Sequence, residues 1–275
     1  MADKIKVLFI GDIVGGDALD FFLLELPNLK AEFSPDFIIV NGENAAAGKG
    51  IVESEANRLF EAGVNVITTG NHIWDNWKSK PLLAQNDSVI RPYNYPPGNV
   101  GRGFKIAETA SGVKIGVLQL QGRTFMQAID CPFRGAETAL RLMKEKTNLI
   151  IVDFHADATA EKYAMARHLD GKVSALLGTH THIQTADAQI LSEGTGFISD
   201  VGMTGPYDSV VGLRNDIALK RFMTQVAHKY ELGSGDLKVC GVALELDAET
   251  GQCMRIQSFT KPDFPRSIAD LMEME

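Results

Sequence analysis

The sequence is short of cysteine, of contiguous positive charge and of long apolar runs, and each scarcity removes a class of protein. Its three cysteines, Cys131, Cys240 and Cys253, form no C-x-x-C pair. A disulfide framework is therefore excluded, and mostly buried thiols in a reducing compartment are expected. No run of Lys or Arg exceeds two residues and the formal net charge is −8. A long nucleic acid is thus not an expected partner, and a small anion would need positive charge gathered locally by the fold. No apolar stretch approaches the roughly 18 residues of a membrane span, and residues 1–7 lack the apolar core of a signal peptide, so no membrane association and a cytoplasmic location are expected. Familiar site motifs are missing too. Between Gly42 and Gly50 the spacing departs from a P-loop, and Gly50 stands where a magnesium-binding Ser or Thr would be. Residues 11–16 do not spell G-x-G-x-x-G, and no G-x-S-x-G elbow or cysteine nucleophile motif occurs.

What is present is an ordinary globular composition, 45% hydrophobic and 23% charged over 275 residues, without repeats or low-complexity tracts. One domain spanning residues 1–275 is expected. Short β-rich runs alternate with helical patterns. Strands are expected at residues 5–10, 37–40, 64–68, 114–120, 149–154 and 173–177, with helices at 52–62 and 134–146. Gly63 is placed to end the first of these helices. Residues 238–246 and 254–259 flank a turn-rich segment, which predicts an antiparallel hairpin and with it a second sheet or a mixed edge. The fold class is α/β.

The strand ends carry the chemistry. Asp12, Glu43, Asn44, Asn71, His72, His155, His180 and His182 all follow buried runs, and four of the six histidines are among them. In α/β sheets the carboxyl ends of parallel strands share an edge where ligands bind. Two carboxylates with three or four imidazoles exceed the needs of one open catalytic ion and suit a pair of ions, whose shared hydroxide could attack phosphorus in line. Neutral imidazoles and amide oxygens would keep such a site from repelling an anionic substrate. In an extended Gly178-Thr179-His180-Thr181-His182, the two rings would point the same way. Each residue also has a plainer reading: Asp12 as a helix cap, Asn44 and Asn71 as turn residues, His72 as a structural or substrate-binding histidine. His168 and His228 lie in helical patterns without partners and read as surface or packing residues. Trp74 and Trp77 read as packing beneath the Asn71 loop in preference to stacking on a base. Gly48-Lys49-Gly50 and Arg123 are candidates for charge near a substrate phosphate.

At Gly11-Asp12, Asn41-Gly42-Glu43-Asn44, Gly70-Asn71-His72, His155 and Gly178-Thr179-His180-Thr181-His182 the chain resembles the calcineurin-like metallophosphoesterases. Two departures, Val14 where a histidine is usual and Glu43 where an aspartate usually bridges, match the YmdB-like branch. So do Gly70-Asn71-His72-Ile73-Trp74-Asp75, Asp153-Phe154-His155-Ala156 and Asp200-Val201-Gly202-Met203-Thr204-Gly205-Pro206. The resemblance implies a four-layer α/β/β/α sandwich of two mixed sheets with flanking helices. It also implies a dinuclear centre of iron or manganese, with zinc an alternative. Asp12, Glu43, Asn44 and His182 would hold one ion, and Glu43, Asn71, His155 and His180 the other, leaving His72 as the general acid. The implied substrates are small phosphodiesters such as 2′,3′-cyclic nucleotides. A phosphomonoesterase or phosphoprotein phosphatase on the same centre, and a metal-containing regulatory nucleotide-binding protein, stay open as alternatives, as does homo-oligomerisation.

Overall fold

Alternation along the strands decides the layering. The computed structural model describes residues 4–265. Its first sheet is built from β1 (Lys4–Ile10), β2 (Asp12–Ile13), β3 (Phe37–Asn41), β4 (Val66–Thr68), β11 (Met203–Pro206), β12 (Leu237–Asp247) and β13 (Cys253–Lys261). The second holds β5 (Phe104–Glu108), β6 (Lys114–Gln121), β7 (Ile150–His155), β8 (Ala175–Thr179), β9 (Gln189–Ile190) and β10 (Gly196–Ile198). Successive side chains of a strand face opposite ways. Val7, Phe9, Phe37 and Ile39 of the first sheet accordingly meet Val117, Ile151, Ala175 and Leu177 of the second in one core between the sheets.

The residues in between point outward and are covered by helices. Leu8, Ile10, Ile38 and Val40 pack under α1 (Gly16–Phe33), α2 (Glu53–Glu61) and α3 (Ser79–Gln85). Leu118, Ile150, Val152 and Leu176 pack under α4 (Pro132–Lys144) and α5 (Thr159–Leu169). The result is four layers, α/β/β/α. Strands buried on both faces are apolar at nearly every position, which is why β1, β3 and β7 read as near-continuous hydrophobic runs, interrupted inside only by Lys6 and Asp153. A sixth helix, α6 (Asn215–Thr224), lies outside these two covers with its own small cluster of Leu213, Ile217 and Ala218.

Several boundaries differ from the sequence reading. The strand expected at 64–68 starts at Val66, because Gly63 turns at φ +93° and the amide of Val64 still closes the end of α2 on Leu59. The expected hairpin forms as β12 and β13, but it joins the first sheet: β12 runs antiparallel to β1 and makes that sheet mixed. The second sheet comes instead from the middle of the chain. His228 is not helical, since α6 ends at Thr224 and Gln225 takes a left-handed cap conformation. Among the described residues no helix is long and apolar enough to cross a membrane.

Candidate functional site

Parallel pairing of β1 with β3, β3 with β4, β6 with β7 and β7 with β8 aligns the carboxyl ends of both sheets, and the sequence-predicted residues collect there. Asp12, Glu43 and His155 are fully buried and Asn44 nearly so. His155 is the last residue of β7, on the same face as Ile151, and so looks into the space between the sheets. Its Nε2 lies 3.2 Å from Asn71 Oδ1, 3.4 Å from Glu43 Oε1 and 3.0 Å from His180 Nδ1. Four of the predicted residues thus form one contact group. A second contact joins Asn44 Nδ2 to His182 Nε2 at 3.3 Å. Asp12 accepts from the His180 amide at 3.2 Å through Oδ2, while its Oδ1 is 3.9 Å from His155 Nδ1. Among the described residues no three His, Cys, Asp or Glu side chains converge on a single ion-sized point, so it is these contacts that group the site.

His180 and His182 are not in extended backbone. β8 stops at Thr179, and the two histidines take φ of +102° and +67°. The expectation that both rings point the same way fails for that reason. One ring turns to His155, the other to Asn44. Positive φ in a residue with a Cβ costs on the order of 1–3 kcal/mol and persists only where the surroundings enforce it. Asp200 does so here: its Oδ2 accepts from the Thr181 amide at 3.0 Å and the Thr181 hydroxyl at 2.8 Å, and its Oδ1 from the Gly202 amide at 2.9 Å. Behind it, the buried Lys162 of α5 donates to Asp200 Oδ2 at 2.7 Å. Gly178 makes room for this arrangement, since a Cβ there would fall 1.9 Å from Ser199 O and 3.0 Å from the Lys162 stem.

Hydrogen bonds fix the tautomers. The Thr179 hydroxyl donates to Asp153 Oδ1 at 2.7 Å, so toward His155 Nδ1, 2.9 Å away, it can only accept. His155 therefore carries its proton on Nδ1 and turns a bare Nε2 to the contact group. Asp153 is held in turn by Asn41 Nδ2 at 2.9 Å and the Thr68 hydroxyl at 2.6 Å. His182 donates from Nδ1 to the Val211 carbonyl at 2.9 Å, which likewise leaves Nε2 as the lone-pair nitrogen. Burial pushes His155, His180 and His182 below the usual imidazole range, keeping them neutral. Burial also raises Glu43 to about 7 and Asp12 well above the ordinary carboxylate range; for Asp12 the nearby Asp200 and Glu43 add to the effect.

Asp12 Oδ1 and Glu43 Oε2 are buried with no hydrogen-bond donor. Buried carboxylate oxygens are normally paired or bound to a metal. Two donorless carboxylate oxygens among neutral imidazoles with exposed lone pairs and amide oxygens are a donor set that borderline divalent ions satisfy. The residues present fit such ions.

A cleft of about 760 Å³ opens beside this group, lined by Asn44, Lys49, His72, His180 and His182. His72 hydrogen-bonds through Nδ1 to Asp75 Oδ2 at 2.7 Å, and Lys49 reaches the same oxygen at 3.5 Å. Of the two candidates for phosphate charge, Lys49 lines the cleft and Arg123 does not; the Arg123 amide is tied to the Glu161 carboxylate. The far wall was not legible in the sequence: Arg221, Phe222, Val226 and Tyr230 arrive from α6 and the segment after it. Trp74 packs against Tyr95 at 5.2 Å, as expected of a packing residue, whereas Trp77 is 74% exposed with Lys78 over its ring. Neither tryptophan lines the cleft. His168 is a packing residue edge-on to Phe133, and Cys240 and Cys253 are buried, free thiols.

Asp153, Thr179, Asp200 and Lys162 support the site without having been among its predicted residues. Asp153 and Asp200 did carry a signal, an acid at or just after a buried strand; Lys162 carried none, since a helical lysine ordinarily faces water.

Comparison with known proteins bears on the family and the fold. A 2′,3′-cyclic-nucleotide 2′-phosphodiesterase of Bacillus subtilis (strain 168) is 40% identical over 252 residues, covering 92% of this chain and 95% of that protein. A crystal structure of a phosphatase from Mycoplasma pneumoniae superposes with a TM-score of 0.89 at 32% identity, covering 94% of each chain. That of a hypothetical protein from Thermus thermophilus gives 0.86 at 40% identity, covering 93% of this chain and 98% of the other. The family model of YmdB-like proteins matches residues 8–259, and the chain belongs to that family.

Proposed function

We propose that this protein is a phosphodiester hydrolase acting on small substrates of the 2′,3′-cyclic nucleotide class, on a centre of two transition-metal ions. The activity named for the Bacillus subtilis relative supports the substrate class, and a cleft of about 760 Å³ lies within the range of small-molecule sites. The observation that carries the metal reading is the pair of donorless buried oxygens on Asp12 and Glu43 beside the unprotonated Nε2 atoms of His155 and His182. Glu43, Asn71, His155 and His180 would hold one ion; Asp12, Glu43, Asn44 and His182 the other. Bound there, the ions supply Lewis acidity toward phosphate and lower the pKa of water.

The chain's own residues do the rest. Lys49 and Arg221 place positive charge on two sides of the cleft where the anionic substrate enters. Phe222 and Tyr230 give a nucleobase an apolar wall. His72 is tethered by its backbone amide to Glu43 Oε1 at 2.7 Å and by Nδ1 to Asp75, which aligns the ring. Its second ring nitrogen is the proton donor to the departing ribose oxygen, a role worth about 10²–10⁴-fold in rate.

The test is metal analysis with turnover. Purified protein is expected to carry close to two transition-metal ions and to hydrolyse 2′,3′-cyclic AMP, and bis-p-nitrophenyl phosphate faster than p-nitrophenyl phosphate. His72→Ala should keep the metal and lose about 10²–10⁴-fold in kcat. Metal loss in proportion to activity would overturn the role given to His72.

A further inference from the structure

A second cleft, of about 810 Å³, opens between the stretch leading into β5 and the start of α4, and none of the residues discussed as metal ligands lines it. It lies within the volume range of small-molecule sites. Its charge is out of keeping with a chain of net charge −8: Arg91, Arg102, Lys105 and Arg134 line it against only Asp87 and Asp130. Arg102 is engaged with Asp87 at 3.4 Å, whereas no carboxylate pairs with Lys105 or Arg134 among the described residues. Arg91 is buried at 8% exposure, and every partner of its guanidinium is a backbone carbonyl, those of Pro92, Tyr93, Asn99 and Val100. Carbonyls satisfy its N–H groups without cancelling its charge. Positive charge concentrated in a concave, partly desolvated surface attracts anions more strongly than the same charge spread over an open one. Tyr93 and Phe104 line the same cleft, their rings 6.2 Å apart.

We propose that this cleft binds a nucleoside monophosphate, with the phosphate on Lys105 and Arg134, the Arg91 charge behind them, and the base against Tyr93 and Phe104. A bare anion would use the cations but leave the two rings and most of the volume unused. The cleft is also joined to the catalytic turn. Tyr95 lines it, bonds through its hydroxyl to Gln121 Oε1 at 2.9 Å, and packs against Trp74, the last residue of the short helix that begins with Asn71 and His72. A nucleotide held beside Tyr95 therefore acts on the placement of His72, which makes this a site for a product or effector nucleotide.

Calorimetric titration of the full-length protein with adenosine 3′-monophosphate tests this. Two binding events per chain are expected, and Lys105→Ala/Arg134→Ala should weaken one of them at least 10-fold while leaving hydrolysis of bis-p-nitrophenyl phosphate unchanged. Phe104→Leu, which keeps the apolar packing and removes the ring, should weaken the same event several-fold. Saturating nucleotide should alter the rate of wild type beyond the competitive inhibition that the double variant retains. If no binding event is weakened by the double variant, the site is overturned. Inorganic phosphate binding there as tightly as the nucleotide overturns the nucleotide assignment. Hydrolysis is read separately in every arm, so loss of the second site would leave the phosphodiesterase reading standing, and the reverse.

Discussion

Thr179→Val removes one oxygen from the centre of a buried chain and leaves the shape almost unchanged. The hydroxyl lies 2.7 Å from Asp153 Oδ1 and 2.9 Å from His155 Nδ1, and all three residues are fully buried. Its loss strands one imidazole N–H and one carboxylate oxygen, each at about 1–3 kcal/mol for a buried group left without a partner. Asp153 keeps its bonds to Asn41 and Thr68, which holds the carboxylate part near the lower end. A destabilisation of about 2–4 kcal/mol is expected, which for a chain of this size lowers Tm by roughly 3–7 °C. The same change frees the His155 tautomer and ring orientation, and removing the partner of a metal-bound histidine costs about 10–100-fold in metal affinity. Calorimetric melting and metal content after dialysis against a graded chelator measure the two effects separately. Thr179→Ser, which restores the hydroxyl, should recover most of both. If Thr179→Val retains wild-type metal and melts within a degree of wild type, the hydroxyl does not set the tautomer and the assignment of Nε2 as the ligand atom loses its basis.

Other residues give sharper local tests. Lys162→Met leaves the Asp200 carboxylate buried without its cation and should cost about 3–5 kcal/mol in urea denaturation, partly recovered in Lys162→Met/Asp200→Asn; an unchanged midpoint would show that the pair does not hold the His180–His182 loop. Gly70→Ala puts a Cβ within 2.3 Å of the His155 ring, so bound metal should fall far more than Tm, and a variant with full metal content would contradict the close approach. Burial pushes the Cys253 thiol up to about 12 and raises Cys240 as well. At pH 8 iodoacetamide should therefore label the half-buried Cys131 first in native protein, and mass spectrometry finding Cys240 or Cys253 modified as fast would refute their burial.

The α/β alternation and the list of donors were legible in the residues themselves, whereas the four layers were implied only by the family resemblance. A strand buried on both faces is apolar at nearly every position, so residues 5–10, 37–40 and 149–154 announce themselves despite Lys6 and Asp153, and a polar residue at the end of such a run marks the edge it reaches. Asp12, Glu43, Asn71, His155, His180 and His182 were found that way. Local pattern could not show which sheet received the 238–259 hairpin, because β12 pairs with β1 across more than 230 residues of chain. Nor could it show that His180 and His182 leave extended backbone, since their positive φ is imposed by Asp200 and Lys162 from other elements. Arg221, Phe222 and Tyr230 meet the site only through the path of α6 and the segment beyond it. Sequence spacing fixes what a strand or helix presents to its own two faces; which faces meet, and which tautomer a buried histidine must adopt, follows from contacts between segments that only the folded chain brings within 3 Å of each other.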